Sequence, residues 1–190
     1  MAKVRLNPIL EQIRGQVGDL GFKRYGEEVA ISRKPDLSGV EPSEAQLAAR
    51  ERFRQATLFG KMVMADPETK TIYEEAAKAK GKPVFNLTVA DFFNAPSVDE
   101  ADLSGYSGAA GDEIVVRASD DFDVVGVGVA LTDAGGGEIE HGEAVETPAD
   151  SGRWVYAATA NVPTGTTVRI AVTALDRPGG VAEAEEEKTV

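Results

Sequence analysis

The chain has no cysteine, and that absence closes several routes at once. Disulfide staples, thiolate metal sites and a cysteine nucleophile are excluded. The single histidine, His141, cannot build a zinc site with other histidines, and without cysteine a closed structural zinc site lacks its ligands. No Gly-x-Ser-x-Gly elbow surrounds Ser119 or Ser151, so a serine–histidine–aspartate triad has no scaffold of the familiar kind. Gly15, Gly18 and Gly21 lack the Gly-Lys-Ser/Thr ending of a phosphate-cradling loop. No segment approaches the roughly 20 apolar residues that span a bilayer, which argues against membrane insertion. The opening stretch from Met1 to Pro8 holds no apolar run of signal-peptide length. The cytoplasm is therefore the default expectation, with release as part of a particle or an extracellular assembly left open. Carboxylates are plentiful, yet abundance without a cleft is no argument for acid–base catalysis. The expectation is a protein that is not an enzyme and holds no resident cofactor or metal.

Basic residues are scarce in one half only. Residues 1–95 carry 15 Lys and Arg against 13 Asp and Glu, whereas residues 96–190 carry 5 against 19. The asymmetry places a domain boundary at the Asn94-Ala95-Pro96-Ser97 linker, giving domains 1–95 and 96–190. It also makes the acidic half a poor nucleic-acid ligand, since phosphate contacts need Lys and Arg. The net excess of two cations in the first half is too small to support a nucleic-acid partner there either.

What is present reads in order. Asn7-Pro8 predicts a short helix to Arg14, with Ile9 and Ile13 on one face. The glycines at 15, 18 and 21 suit a close backbone approach or a bulged strand. Alternation of Leu20, Phe22 and Arg24, then of Val29, Ile31 and Arg33 beyond a turn at 25–27, predicts a β-hairpin. Ser43-Glu44-Ala45-Gln46 is a capping box, and the helix it opens runs to Ala65 with Leu47, Phe53, Ala56, Phe59 and Met62 to Met64 as its apolar side. Asp66-Pro67 starts a helix that stops at Gly81, and Asn86 is the expected cap of a last short helix. From there on, strands are expected near 101–107, 113–118, 124–132, 137–147 (interrupted at His141-Gly142), 153–159, 166–174 and 180–189. Their short lengths and Gly/Pro/Asp turns predict an all-β sandwich. The fold class is thus α+β: a small helical N-terminal domain with a β-hairpin, then a β-sandwich.

Three stretches of the second half carry a resemblance: Ala118-Ser-Asp-Asp-Phe-Asp-Val-Val-Gly-Val127, Gly152-Arg-Trp-Val-Tyr156 and Ala171-Val-Thr-Ala-Leu-Asp-Arg-Pro-Gly-Gly180. With its Asp-rich turn and its Asp-x-x-Gly turn, this half resembles bacterial immunoglobulin-like or fibronectin type III-like modules. The resemblance implies an architecture and hardly an activity, because such sandwiches host many functions. The first half, with Gly15-Gln-Val-Gly18 and Ser43-Glu-Ala-Gln46, resembles short bacterial proteins of unknown function.

Two groups of residues are candidates for function. Asp120, Asp121, Asp123 and Asp176 could chelate calcium at one end of the sandwich, although Asp-rich turns also end strands without an ion. Leu20, Phe22, Lys23, Arg24, Val29, Ile31 and Arg33 form a hairpin that is marginal in water alone and needs a partner. That hairpin motivates the leading expectation, a structural protein that forms a homo-oligomer or filament, a surface layer or a phage-like particle. Association would use β-edge pairing and attraction between the mildly basic and the acidic halves of neighbouring copies. The alternative is a binding module whose sandwich loops grip a glycan or protein partner, with Trp154 and Tyr156 as its aromatic candidates.

Overall fold

The computed structural model describes residues 2–4, 15–25, 28–36 and 39–190. The chain divides into two compact units, Met1–Leu47 and Ala48–Val190. The boundary read from the charge shift at Ala95-Pro96 therefore falls inside the second unit, where Lys80 and Asn94 of the helical part both bond to Asp121, in the turn between residues 119 and 124. The helix expected at Pro8–Arg14, and the turn residues Gly26 and Glu27, lie outside the described residues.

The first unit is a four-stranded antiparallel sheet in the order β1-β4-β3-β2, built from Ala2–Val4, Gly15–Val17, Leu20–Tyr25 and Glu28–Arg33. The alternation in sequence becomes the β3–β4 pair, with Leu20 opposite Arg33, Phe22 opposite Ile31 and Arg24 opposite Val29. The glycine run makes a second hairpin: Gly15 pairs with Phe22 and Val17 with Leu20. Gly18 takes φ 57° in the intervening two-residue turn, a conformation that favours glycine there. The expected two-stranded ribbon is thus flanked on both sides by short strands of its own chain. Its own backbone edges are engaged by β1 and β2 over part of their length.

Three helices open the second unit: α1 (Glu44–Ala65, beginning in the first unit), α2 (Pro67–Lys80) and α3 (Val84–Phe93). Ser43 and Gln46 exchange their capping bonds as the sequence predicts. Asp66 caps α2 by accepting from the Thr69 amide at 3.1 Å, with Pro67 in the first turn. Gly81 ends α2 with φ 61°. The third helix starts earlier than its expected cap, because Pro83 precedes it and Asn86 lies within its first turn.

The buried stripe of α1 is Ala56, Gly60 and Val63, whereas Leu47, Phe53 and Met62 are exposed. Small residues at that spacing let α3 approach closely: a Cβ on Gly60 would stand 2.8 Å from both the Phe85 ring and the Thr88 hydroxyl. Around this contact Val63, Tyr73, Ala77 and Leu87 form a small core, with Phe59 and Phe122 packed on it.

The remaining strands form two four-stranded antiparallel sheets, β5-β6-β10-β9 and β12-β11-β7-β8. The strands are β5 (Ser97–Asp102), β6 (Glu113–Ser119), β7 (Val124–Asp133), β8 (Glu138–Glu143), β9 (Val145–Glu146), β10 (Arg153–Ala157), β11 (Thr167–Asp176) and β12 (Val181–Thr189). Alternate residues of β6, β7, β10 and β11 enter one shared core that includes Ile114, Val116, Val129, Trp154, Ile170 and Val172. The break expected at His141-Gly142 lies instead at Ala144, where the chain leaves one sheet and enters the other. The class is mixed α+β with a β-rich part.

Candidate functional site

In the first unit the register assigns the candidate self-association residues to faces. Directly opposed residues of an antiparallel pair share a face, so Leu20, Phe22, Val29, Ile31 and Arg33 lie together and Val17 joins them. Lys23 points to the opposite face. Val29 is buried and Phe22 and Ile31 are half-buried, while Val17 and Leu20 stay exposed. Arg24 is known by its register alone, opposite Val29. One side of this sheet therefore carries an apolar stretch of Val17, Leu20, Phe22, Val29 and Ile31 with Arg33 and, by register, Arg24 on the same face, although the edges that the hairpin was expected to offer belong to β1 and β2.

In the second unit the four aspartates proposed as one calcium set do separate jobs. Asp120 makes a turn between β6 and β7, its Oδ2 accepting from the amides of Phe122 at 3.2 Å and Asp123 at 3.0 Å. Asp123 accepts from the Arg177 guanidinium at 2.9 Å. Asp176, buried at the end of β11, accepts from the Gly180 amide and closes the turn into β12. Asp121 is exposed, and its Oδ2 accepts from the Asn94 side-chain amide at 2.9 Å. The Lys80 ammonium donates to the Asp121 main-chain carbonyl.

A fifth carboxylate joins them that sequence reading did not single out. Asp91 stands on α3 with no exposed surface, its Oδ2 accepting from the Tyr73 hydroxyl of α2. Carboxylate oxygens of Asp91, Asp120 and Asp121 lie within 4.8 Å of one another, close enough to hold one metal ion. Asp91 Oδ1 and Asp120 Oδ1 are both buried without a hydrogen-bond partner. Burial pushes the Asp91 carboxyl up to about 7, and the carboxylates of Asp120, Asp176 and Asp121 push the same way while the Tyr73 hydrogen bond opposes them. Burial and the Asp91 hydrogen bond raise the Tyr73 hydroxyl well above its ordinary range. The signal in the sequence was positional. Leu87, Thr88 and Asp91 occupy one buried stripe of α3, so a carboxylate sits where helical spacing puts the core.

The aromatic candidates of a glycan-gripping module are elsewhere. Trp154 and Tyr156 both point into the shared core of the two sheets and are almost fully covered. The loops at this end do form a polar cleft, lined by Arg117, Arg153, Asp120, Asp123, Asp150 and Ser151 among others.

No family model and no curated protein matches the chain. Among solved structures, CopC from Methylosinus trichosporium OB3b is similar with a TM-score of 0.39 and 16% identity, over 50% of this chain and 92% of that one.

Proposed function

We propose that the chain is a non-enzymatic structural protein that associates head to tail with copies of itself, its first unit meeting the second unit of a neighbour. The observation that carries this reading is a contrast in charge between the acidic sheet edges of the second unit and the mildly basic sheet of the first. The outer strands of the second unit are acidic: β5 holds Asp99, Glu100 and Asp102, β8 holds Glu138 and Glu143, and β12 holds Glu183, Glu185, Glu186 and Glu187. Like charges keep such edges from pairing with their own kind. The outer strands of the first unit, Ala2-Lys-Val4 and Gly15-Gln-Val17, carry no carboxylate, and the strands between them hold Lys23, Arg24 and Arg33 against Glu28 alone. An unlike edge of a neighbour is thus the pairing that charge favours. A contact between different faces closes into a ring or continues as a filament.

In this reading the two-sheet part is an immunoglobulin-like or fibronectin type III-like module that serves as the acidic partner surface. The shared core of two antiparallel sheets and the buried Trp154 support that assignment. A glycan- or protein-binding module is the second reading; the polar cleft favours it, while the burial of Trp154 and Tyr156 removes its aromatic platform. Light scattering on the full chain at low and high salt is the test. Mass above one chain at low salt, falling as salt rises, is expected; a strict monomer at high concentration and low salt overturns the proposal.

A further inference from the structure

We infer that Asp91, Asp120 and Asp121 form a binding site for one hard divalent cation of the calcium type, seated where α3 meets the β6–β7 turn. Two independent observations converge there. The first is geometric: an oxygen from each of the three carboxylates lies within 4.8 Å of the others. The second is an unsatisfied group. Asp91, a member of that cluster, has no exposed surface, and its Oδ1 has no hydrogen-bond partner. A buried carboxylate oxygen left without a donor carries an uncompensated desolvation cost, and native chains resolve such cases with a proton, a water or an ion. Asp120 Oδ1 is in the same condition.

The protein's own cations do not fill this role. Among the described residues, no Lys or Arg nitrogen forms an ion pair with any of the three carboxylates. Arg177 is engaged by Asp123. Lys80 reaches the cluster but donates to the Asp121 main-chain carbonyl. The second oxygens are also accounted for: Tyr73 holds Asp91, the Phe122 and Asp123 amides hold Asp120, and Asn94 holds Asp121. These bonds engage Oδ2 of each carboxylate and orient it, while Oδ1 of Asp91 and of Asp120 stays without a partner, which is how supporting contacts commonly serve a metal.

The donor set selects the class of ion. All three ligands are carboxylate oxygens, with neither imidazole nor thiolate present, so a hard cation is favoured over zinc or copper. Asp91 is buried, Asp120 half-buried and Asp121 exposed, so the site opens to solvent on one side. Water there would complete the roughly six to eight oxygens that calcium takes.

The test uses the full chain treated with chelator, titrated with calcium chloride at about pH 8 so that Asp91 is ionised. Heat of binding and thermal unfolding are the readouts. One calcium per chain and a rise in melting temperature are expected. Asp120→Asn and Asp121→Asn should each weaken binding by about tenfold or more, while Glu113→Gln, an exposed acidic residue on β6, should leave it unchanged. Asp121 is exposed, so its variant folds even where an Asp91 variant does not. The inference is overturned by the absence of saturable heat at millimolar calcium. It is equally overturned by a thermal shift of the same size in Asp121→Asn and Glu113→Gln, which would mean diffuse counterion attraction. Stabilisation by Asp91→Asn together with an unresponsive wild-type chain would show a proton in the cation's place and would also overturn it.

Discussion

The rings of Tyr73 and Phe122 lie parallel, 1° apart in plane and 4.2 Å between centroids. One belongs to α2 and the other to the turn between β6 and β7, so this stack ties the helices to the two sheets. The same tyrosine spends its hydroxyl on Asp91, so a single side chain supports both the aromatic contact and the acidic cluster.

Truncating that contact should be costly. Phe122→Ala removes the stack on Tyr73 and uncovers part of the small core it packs on, with an expected loss of about 2–4 kcal/mol in urea unfolding. Tyr73→Phe keeps the ring and removes only the donor to Asp91, with an expected loss of about 1–3 kcal/mol. Equal effects from the two variants would argue that the hydroxyl, and not the ring contact, dominates.

Stability should depend on pH through Asp91. Its carboxyl is raised from the ordinary 3.8 to about 7 in the folded chain, so folding favours the protonated form. That contribution is complete below about pH 4 and is lost as pH rises through 7, with a slope of at most about 1.4 kcal/mol per pH unit from this group. Chelator-treated wild-type protein should therefore lose stability across that window. Asp91→Asn should flatten the decline, and an unaltered slope would remove Asp91 as its source.

Gly60→Ala sets two effects against each other. Alanine gains about 1 kcal/mol of helix propensity, but its Cβ would meet Phe85 and Thr88 at 2.8 Å. Overpacking of this kind costs about 1–3 kcal/mol, and the neighbours belong to a helix that cannot withdraw without uncovering Leu87. A net destabilisation is expected by thermal unfolding; a more stable variant would mean that α1 and α3 separate without penalty.

For self-association, a double charge reversal, Lys23→Glu with Arg33→Glu, should lower the mass seen at low salt and make it less sensitive to added salt. Val17→Lys, on the exposed apolar side of β2, should act without that salt signature. If neither change alters the mass of an associating wild-type chain, the first unit is not the contact.

Much of the architecture was readable because local chemistry and final structure agree. Ser43, Asp66 and Gly81 bound helices where capping rules place them, and the alternation in 113–119 and 167–176 matches which residues are buried. What could not be read depends on distant partners. The apolar side of α1 was assigned to Leu47, Phe53, Ala56, Phe59 and Met62 to Met64; Ala56 and Val63 of that set are buried, but with Gly60, which admits α3, while Leu47, Phe53 and Met62 face outward. The charge shift at residue 95 marks a change of composition and not the limit of a compact unit, since Tyr73, Lys80, Asp91 and Asn94 all engage the 120–122 turn. The candidate cation site was half visible: Asp120 and Asp121 announce themselves as a turn, while Asp91 is 29 residues before Asp120 and is brought there only by packing.

The crossing at Ala144 has a mechanical corollary. A strand that serves one layer up to Glu143 and the other from Val145 acts as a stitch, with the buried Ala144 as its point of passage and its amide still held by the Val127 carbonyl at 2.8 Å. Because β8 and β9 are the edge strands of their layers, the two layers are joined along that side by one residue and cannot part there unless β8 or β9 leaves its sheet.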